Sequence, residues 1–536
     1  MADVVLRGGV VLDGAGNPGF RADVAITGDR ITEVGHLSDS TFTKTIDVSG
    51  LTVAPGFIDM HSHSDLQILT NPAHEAKVHQ GVTLDVLGQD GLSYAPVNDE
   101  VLEEMRRQLR GWNGDPADFD WNWRSVGEYL DRLDEGIAVN AAYLIPHGTI
   151  RMMAMGQADR PCSESELDHM RRLVATGLEE GAVGMSAGLT YTPAMFAEDY
   201  ELAELCRVVA RYGGYYCPHH RNYGSHALEA YAACIDVARR SGVALHYAHA
   251  HLGFEVNRGR AGELLAMVDS ARADGVEVTF DTYPYLAGST YLHSVLPSWS
   301  QAGGQDATLA RLGDPDLRER LRAELEETGS DGFQGVPIEW GSIVISGTTR
   351  RHNAHFVGVD VAEAASVAGQ RPIDFLCELL IDEELGTSCV EHIGNEENVR
   401  EIMTHVAHMA GSDGILVGER PHPRAWGTFP RYLGHYAREL GIISIEHAVR
   451  KMTSLPAMRL GFTDRGLVRP GMVADLVCFD QETVVDRGTY EDPRRIPDGI
   501  PFVMVNGEFV IDEGKHTGRL PGHALRRRRS HPASAA

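Results

Sequence analysis

The sequence predicts an α/β protein: a (β/α)8 TIM-like barrel, a small β-sandwich domain formed by both chain ends, and an insertion after the seventh barrel strand. Three observations predict it. Both ends of the 536-residue chain read as short strands. Between them, strand-like apolar runs alternate with helix-like stretches through eight units. A His or Asp stands just past the end of nearly every one of those runs.

The elements follow in order. Residues 4–12 read as a strand before a Gly-rich turn, and residues 23–31 as a hairpin around Gly28-Asp29. The same texture returns at 475–480 and 501–510. Neither terminal block is long enough to bury a good core alone, so residues 1–55 and 466–520 are expected to fold together. The barrel is expected over 56–465, with strands at 57–60, 82–87, 139–145, 182–186, 214–217, 243–247, 276–280 and 406–410. Helix-like stretches such as 164–180, 200–212 and 225–241 lie between several of them. From about 287 to 345 the alternation stops, after the seventh strand, where an active-site loop emerges. This stretch reads as an inserted lid or subdomain. Residues 521–536, with the basic run Arg526 to Arg529, read as a flexible, solvated tail.

A chain with 43% hydrophobic and 23% charged residues has a soluble globular composition. Its formal charge of −28 argues against nucleic acid or an anionic membrane as partner. No apolar stretch reaches the length of a membrane span. Met1-Ala2-Asp3 leads into a strand without a basic or apolar leader region. The seven cysteines are an odd count, scattered, with no C-x-x-C pair, which fits a reducing cytoplasm.

The most informative stretch is Val53-Ala54-Pro55-Gly56-Phe57-Ile58-Asp59-Met60-His61-Ser62-His63. Side chains two apart on a strand share a face, so His61 and His63 present two imidazoles side by side at a strand end. Neutral imidazoles held that close suit a divalent metal such as zinc. Other strands end in Gly88-Gln89-Asp90-Gly91, Pro146-His147-Gly148, Pro218-His219-His220, His249-Ala250-His251 and Gly411-Ser412-Asp413-Gly414. Buried His and Asp without partners are costly, so a purely structural barrel gives no reason for this pattern. The candidate ligands are His61, His63, Asp90, His219, His249 and Asp413. Six protein ligands exceed what one open catalytic zinc uses. They suit two metals sharing a carboxylate, with Asp90 as the bridge, or one tight metal with a second, weaker position. His219 and His220 are adjacent and face opposite ways, so one of them at most is a ligand. His147 reads as a supporting or structural histidine.

With those residues in place, the chain resembles the amidohydrolase superfamily and, within it, the N-acyl-D-amino-acid deacylases. The resemblance runs through Ala54-Pro55-Gly56-Phe57-Ile58-Asp59-Met60-His61-Ser62-His63-Ser64-Asp65, His147-Gly148-Thr149-Ile150-Arg151 and His219-His220-Arg221-Asn222. It continues in Tyr283-Pro284-Tyr285-Leu286-Ala287-Gly288-Ser289-Thr290 and Gly411-Ser412-Asp413-Gly414. The most branch-specific stretch is His422-Pro423-Arg424-Ala425-Trp426-Gly427-Thr428-Phe429. The resemblance implies His61, His63, His219 and His249 as metal ligands and Asp413 as the catalytic aspartate. Where such proteins carry a cysteine, this chain has Asp90, a harder donor that can bridge. The resemblance also implies that Tyr191, Tyr283, Ser289 and Arg424 bind the substrate's α-carboxylate, with Arg424 as the two-pronged anchor. The alternative for Arg424 is a structural ion pair with an acidic neighbour such as Glu419. His251 stands where a basic residue is often found.

The expected activity is hydrolysis of the amide of a small N-acylated amino acid, with zinc, or manganese or cobalt, as one or two divalent metals. Acetyl is the expected acyl group. The loop from Tyr291 to Trp299 has no Lys or Arg, which favours apolar over acidic side chains. Preference for the D isomer follows from the resemblance. Alternatives are hydrolysis of a cyclic amide, an imide or a dipeptide on the same metals, and a non-catalytic assembly protein on the same fold.

Overall fold

The computed structural model describes residues 3–38 and 42–527. Its centre is a sheet of eight parallel strands: β1 (Phe57–Asp59), β2 (Val82–Leu87), β3 (Asn140–Pro146), β4 (Gly184–Gly188), β5 (Tyr215–His219), β6 (Ala244–Tyr247), β7 (Val278–Thr282) and β8 (His408–Ala410). They neighbour one another in chain order from β1 to β8. The sheet closes because β8 returns to β1: the Met60 N–H donates to the Ala410 carbonyl (3.3 Å) and the Asp413 N–H to the His61 carbonyl (2.8 Å). The expected (β/α)8 barrel is present.

Alternation along the strands explains the layering. On β2 and β3, Leu84, Val86, Ala142 and Leu144 fill the barrel interior with Ile58 and Met409. Ala141, Tyr143 and Ile145 face outward to the helices. The helix Glu164–Glu179 shows how a covering element is specified. Ser163 and Glu166 form a capping box at its start, and Leu167, Met170, Val174 and Leu178 bury one stripe. Several strands begin and end one or two residues later than the apolar runs suggest. The ladder carries on into the polar tips, as where His219 pairs with Gly188.

The chain ends meet in one connected sheet of nine strands. Thr52–Pro55 runs parallel to Val4–Val11 and antiparallel to Leu476–Phe479, which stitches the two ends together. Val53, Leu476, Cys478, Phe502 and Met504 face a core of their own. Ala54, Val477, Phe479, Val503 and Val505, one residue out of phase, pack with the barrel's outer core.

Two boundaries differ from the sequence reading. The insertion does not end near residue 345. It runs on to Ser388–His392, the central strand of a three-stranded antiparallel sheet with Ala287–Tyr291 and Ile343–Gly347. The helices Val361–Ala368 and Pro372–Asp382 between them add Val361, Leu376 and Leu380 to a core separate from the barrel's. The tail is not loose from 521. The Gly522 N–H donates to the Ile137 carbonyl and the Leu525 N–H to the Ala141 carbonyl. Arg526 pairs with Asp131 and Asp134. Residues 528–536, which include Arg528 and Arg529, lie outside the described residues. Among the described residues no helix is long and apolar enough to cross a membrane.

Candidate metal centre

The six candidate ligands converge at the C-terminal mouth of the barrel. One ligand atom from each of His61, Asp90, His249 and Asp413 lies within 4.8 Å of the others. His63 Nε2 stands 3.0 Å from Asp413 Oδ1, and His219 Nδ1 stands 3.3 Å from Asp90 Oδ2 and 3.0 Å from His249 Nε2. All six side chains are buried. Asp90 faces both halves of the cluster. Its Oδ1 looks at His61 Nε2 (3.5 Å), and its Oδ2 at His63 and His249 (3.5 Å each).

Local backbone explains how the loops deliver these groups. Asp90, His249 and Asp413 all have positive φ (53°, 28° and 50°), a costly region for residues other than glycine. The turn around Asp90 depends on glycine. A Cβ on Gly88 would meet the Leu144 carbonyl oxygen at 2.1 Å, and one on Gly91 would meet the Gly188 nitrogen at 2.6 Å.

The residues fit a divalent cation. His61 Nε2 and Asp90 Oδ1 are buried and make no hydrogen bond. Unpaired buried polar atoms are expensive, and their convergence at 3.5 Å gives a cation a place to satisfy them. The remaining faces of the rings are oriented by other groups. Thr190 Oγ1 is 2.7 Å from His219 Nε2, Tyr223 OH is 3.1 Å from His249 Nδ1, and Asp281 Oδ2 is 3.7 Å from His61 Nδ1.

Without a metal, the buried charges shift one another. Burial raises the Asp413 carboxyl, but Arg424, His249 and His61 beside it outweigh that and hold it well below the usual carboxylate range. Asp90 is likewise held low against its burial by His219, His61 and His249. Burial lowers His63, yet hydrogen bonds to Asp413 and Asp90 bring it up to about 9. Burial, helped by the nearby His249 and Arg424, pushes His251 down to about 3. His251 is therefore a neutral imidazole at neutral pH, with its Nε2 2.7 Å from Thr282 Oγ1.

Tyr191, His251, Tyr283 and Ser289 all line the cavity above the cluster. Arg424 sits beneath it, fully buried, with its guanidinium over the Tyr283 ring. Its ion-pair partner is Asp413, not Glu419. His147 is set apart, 2.8 Å from Glu201. His220 turns away from His219 and packs between the rings of Tyr223 and Tyr231. Sequence reasoning missed Trp112, whose ring is 4.6 Å from that of His63, as well as Tyr223, Thr190 and Glu391. A long loop brings in Trp112 and the insertion Glu391, whereas Thr190 and Tyr223 stand just past the tips of β4 and β5, where an ordinary Thr or Tyr carries no ligand signal.

A barrel with clustered imidazoles and carboxylates at its mouth defines a metal-dependent hydrolase of the amidohydrolase type. Residues 44–511 match the model of the amidohydrolase family, and the chain belongs to that family, in its D-aminoacylase branch. It is 35% identical over 533 residues to a D-aminoacylase of Alcaligenes xylosoxydans xylosoxydans, covering 98% of each chain. It is 35% identical to an N-acyl-D-glutamate deacylase of the same organism, covering 98% of this chain and 96% of the relative. Among solved structures, an N-acyl-D-glutamate deacylase from Bordetella bronchiseptica, complexed with zinc and a phosphonate mimic of the tetrahedral intermediate, superimposes with a TM-score of 0.84 at 32% identity. That match covers 98% of this chain and all of the other.

Proposed function

We propose that the protein is a metal-dependent deacylase that hydrolyses N-acyl-D-amino acids, with acetyl as the acyl group. The observation that carries this is the convergence of His61, Asp90, His249 and Asp413 around unpaired buried atoms, with Arg424 on the far side of Asp413. His61, His63, Asp90, His219 and His249 would hold one or two divalent metals, zinc first and manganese or cobalt as alternatives. Such a cation supplies Lewis acidity toward water and the acyl carbonyl.

The chain's own residues do the rest. Asp413, kept ionised, accepts the proton of the attacking water and returns it to the departing amine. Arg424 anchors the substrate's α-carboxylate. Its Nε and Nη1 are buried and make no hydrogen bond, so two donors remain free beside the pair with Asp413. Tyr191, Tyr283, Ser289 and the neutral His251 line the approach and orient the amino-acid half. The insertion roofs the cavity and limits water.

Identity alone does not choose the side chain, since relatives named for different substrates are equally similar. The cavity lining includes no Lys or Arg, which supports apolar over acidic side chains. A reducing, cytoplasmic setting is part of this reading, supported by seven cysteines with no disulfide between them.

The test is hydrolysis of N-acetyl-D-leucine and N-acetyl-D-methionine, with their L isomers and a hydantoin as controls, after loading with zinc, manganese or cobalt. Release of the free D-amino acid is expected. Hydrolysis of the hydantoin alone, or no turnover with any of the three metals, would overturn the reading.

A further inference from the structure

Glu391 is a carboxylate in the cavity wall that neither the metal cluster nor the α-carboxylate anchor uses. It lies on Ser388–His392 of the insertion, opposite Gly288 and next to the segment that carries Ser289. Gly288 has no side chain to cover it, and a Cβ there would find only Tyr283 OH, at 3.8 Å. Its one hydrogen-bonding side-chain contact among the described residues is the Cys389 thiol, at 3.9 Å, a weak donor. Arg424, the neighbouring guanidinium, turns its Nη2 to Asp413 and to the Ser289 carbonyl.

The carboxyl is half-buried in the cavity wall, and the cavity lining offers it no Lys or Arg. Leu286, Phe333 and Ile393 line the same cavity. That combination fits an aliphatic stem with a cation at its tip, which buries its methylenes along apolar surface and brings its charge to the carboxylate. It disfavours an acidic side chain twice over, by like charge and by the lack of any lining cation.

Resting on the deacylase reading above, we propose that Glu391 is a specificity-determining residue: it receives the cationic side chain of N-acyl-D-lysine or N-acyl-D-arginine, so that basic substrates join the apolar ones and acidic ones are refused. Burial pushes the free Glu391 carboxyl up to about 7, consistent with a group that lacks its partner.

The experiment compares kcat/KM for N-acetyl-D-lysine, N-acetyl-D-leucine and N-acetyl-D-glutamate in the metal-loaded wild type and in E391Q. The wild type should favour lysine over glutamate by about a hundredfold or more. E391Q should lower lysine turnover about ten- to hundredfold, through KM, as expected for one lost hydrogen bond to a charged group. Leucine should change by less than about threefold, since it leaves the carboxyl untouched. Equal effects of E391Q on lysine and leucine, or a wild type that handles lysine no better than glutamate, would overturn the assignment while leaving the deacylase reading intact. If no N-acetyl-D-amino acid is hydrolysed, the deacylase reading itself has failed. Thermal-shift binding then decides the role of Glu391: stabilisation by N-acetyl-D-lysine that E391Q abolishes supports it, and equal or absent shifts overturn it.

Discussion

Arg424 Nη2 lies 3.0 Å from Asp413 Oδ2, and both side chains are buried beneath the cavity. One guanidinium thus touches the group proposed to move the proton, while its Nε and Nη1, the donors proposed to hold the substrate, make no hydrogen bond. Replacing Arg424 with Lys keeps a charge but loses the planar fork. R424K is expected to raise KM for N-acetyl-D-leucine by about tenfold to a hundredfold, the worth of a charge-assisted contact. On an analogue that lacks the α-carboxylate, R424K and the wild type should differ far less. Steady-state kinetics on the two substrates checks this. An equal loss on both would mean that Arg424 acts only through Asp413.

Asp413 is ionised at neutral pH because Arg424, His249 and His61 outweigh its burial. Asn keeps the shape and removes the base. D413N is expected to lose about a thousandfold or more in kcat, the scale of positioned acid–base catalysis. The chain should still fold, but its thermal midpoint should fall below that of the wild type, because Asn leaves the buried Arg424 guanidinium without its carboxylate. Activity assays paired with melting curves check both halves.

Asp90 turns one oxygen to His61 and the other to His63, His219 and His249. Its removal should be felt in metal content before anything else. D90A is expected to retain less metal after dialysis than the wild type, measured by elemental analysis. D90C should shift retention toward zinc and away from manganese, since thiolate is the softer donor. Unchanged metal content in D90A would remove Asp90 from the cage.

The barrel and its polar strand tips were legible because both are local signals. Apolar runs mark the strands, and His61, His63, Asp90, His219, His249 and Asp413 each follow one directly. The partner of Arg424 was not legible: a short chain distance suggested Glu419, while the fold turns the chain back so that Arg424 meets Asp413 at the tip of β8, the strand before it. The end of the insertion was missed because Ser388–His392 finds its partners about forty and a hundred residues away. Glu391 was missed with it. Lys77 was invisible for another reason. It sits on the short helix Glu75–Val78, where a lysine reads as a surface charge.

That lysine is fully buried. Its Nζ is 2.5 Å from Asp59 Oδ2 and 2.8 Å from Ser412 Oγ. Asp59 Oδ1 in turn accepts the backbone N–H groups of His61 (3.2 Å) and Ser412 (2.8 Å). Lys77 therefore neutralises the carboxylate that ties the loop of His61 to the loop of Asp413. K77M strands a buried charge, and a destabilisation of about 3–5 kcal/mol is expected. Chemical denaturation of the metal-free protein measures it. A loss under about 1 kcal/mol, the range of exposed ion pairs, would show that the pair is solvated instead.

Lys451 gives a pH dependence of opposite origin, a cation with no ion-pair partner among the described residues. Its ammonium is buried and donates to the His405 carbonyl at 2.5 Å. Burial, with some help from Arg450, pushes it down to about 7 from an ordinary value of 10.5. A lysine depressed in the folded state binds fewer protons there than in the unfolded chain between those two values. Its contribution to stability therefore rises with pH across that window, and its penalty is full below about pH 7. K451M removes the penalty at every pH together with the hydrogen bond. The melting temperature of K451M relative to the wild type is expected to be most favourable near pH 7 and to decline steadily toward pH 10. Melting curves across that range check the sign, and a difference that stays flat would mean that Lys451 keeps its proton in both states.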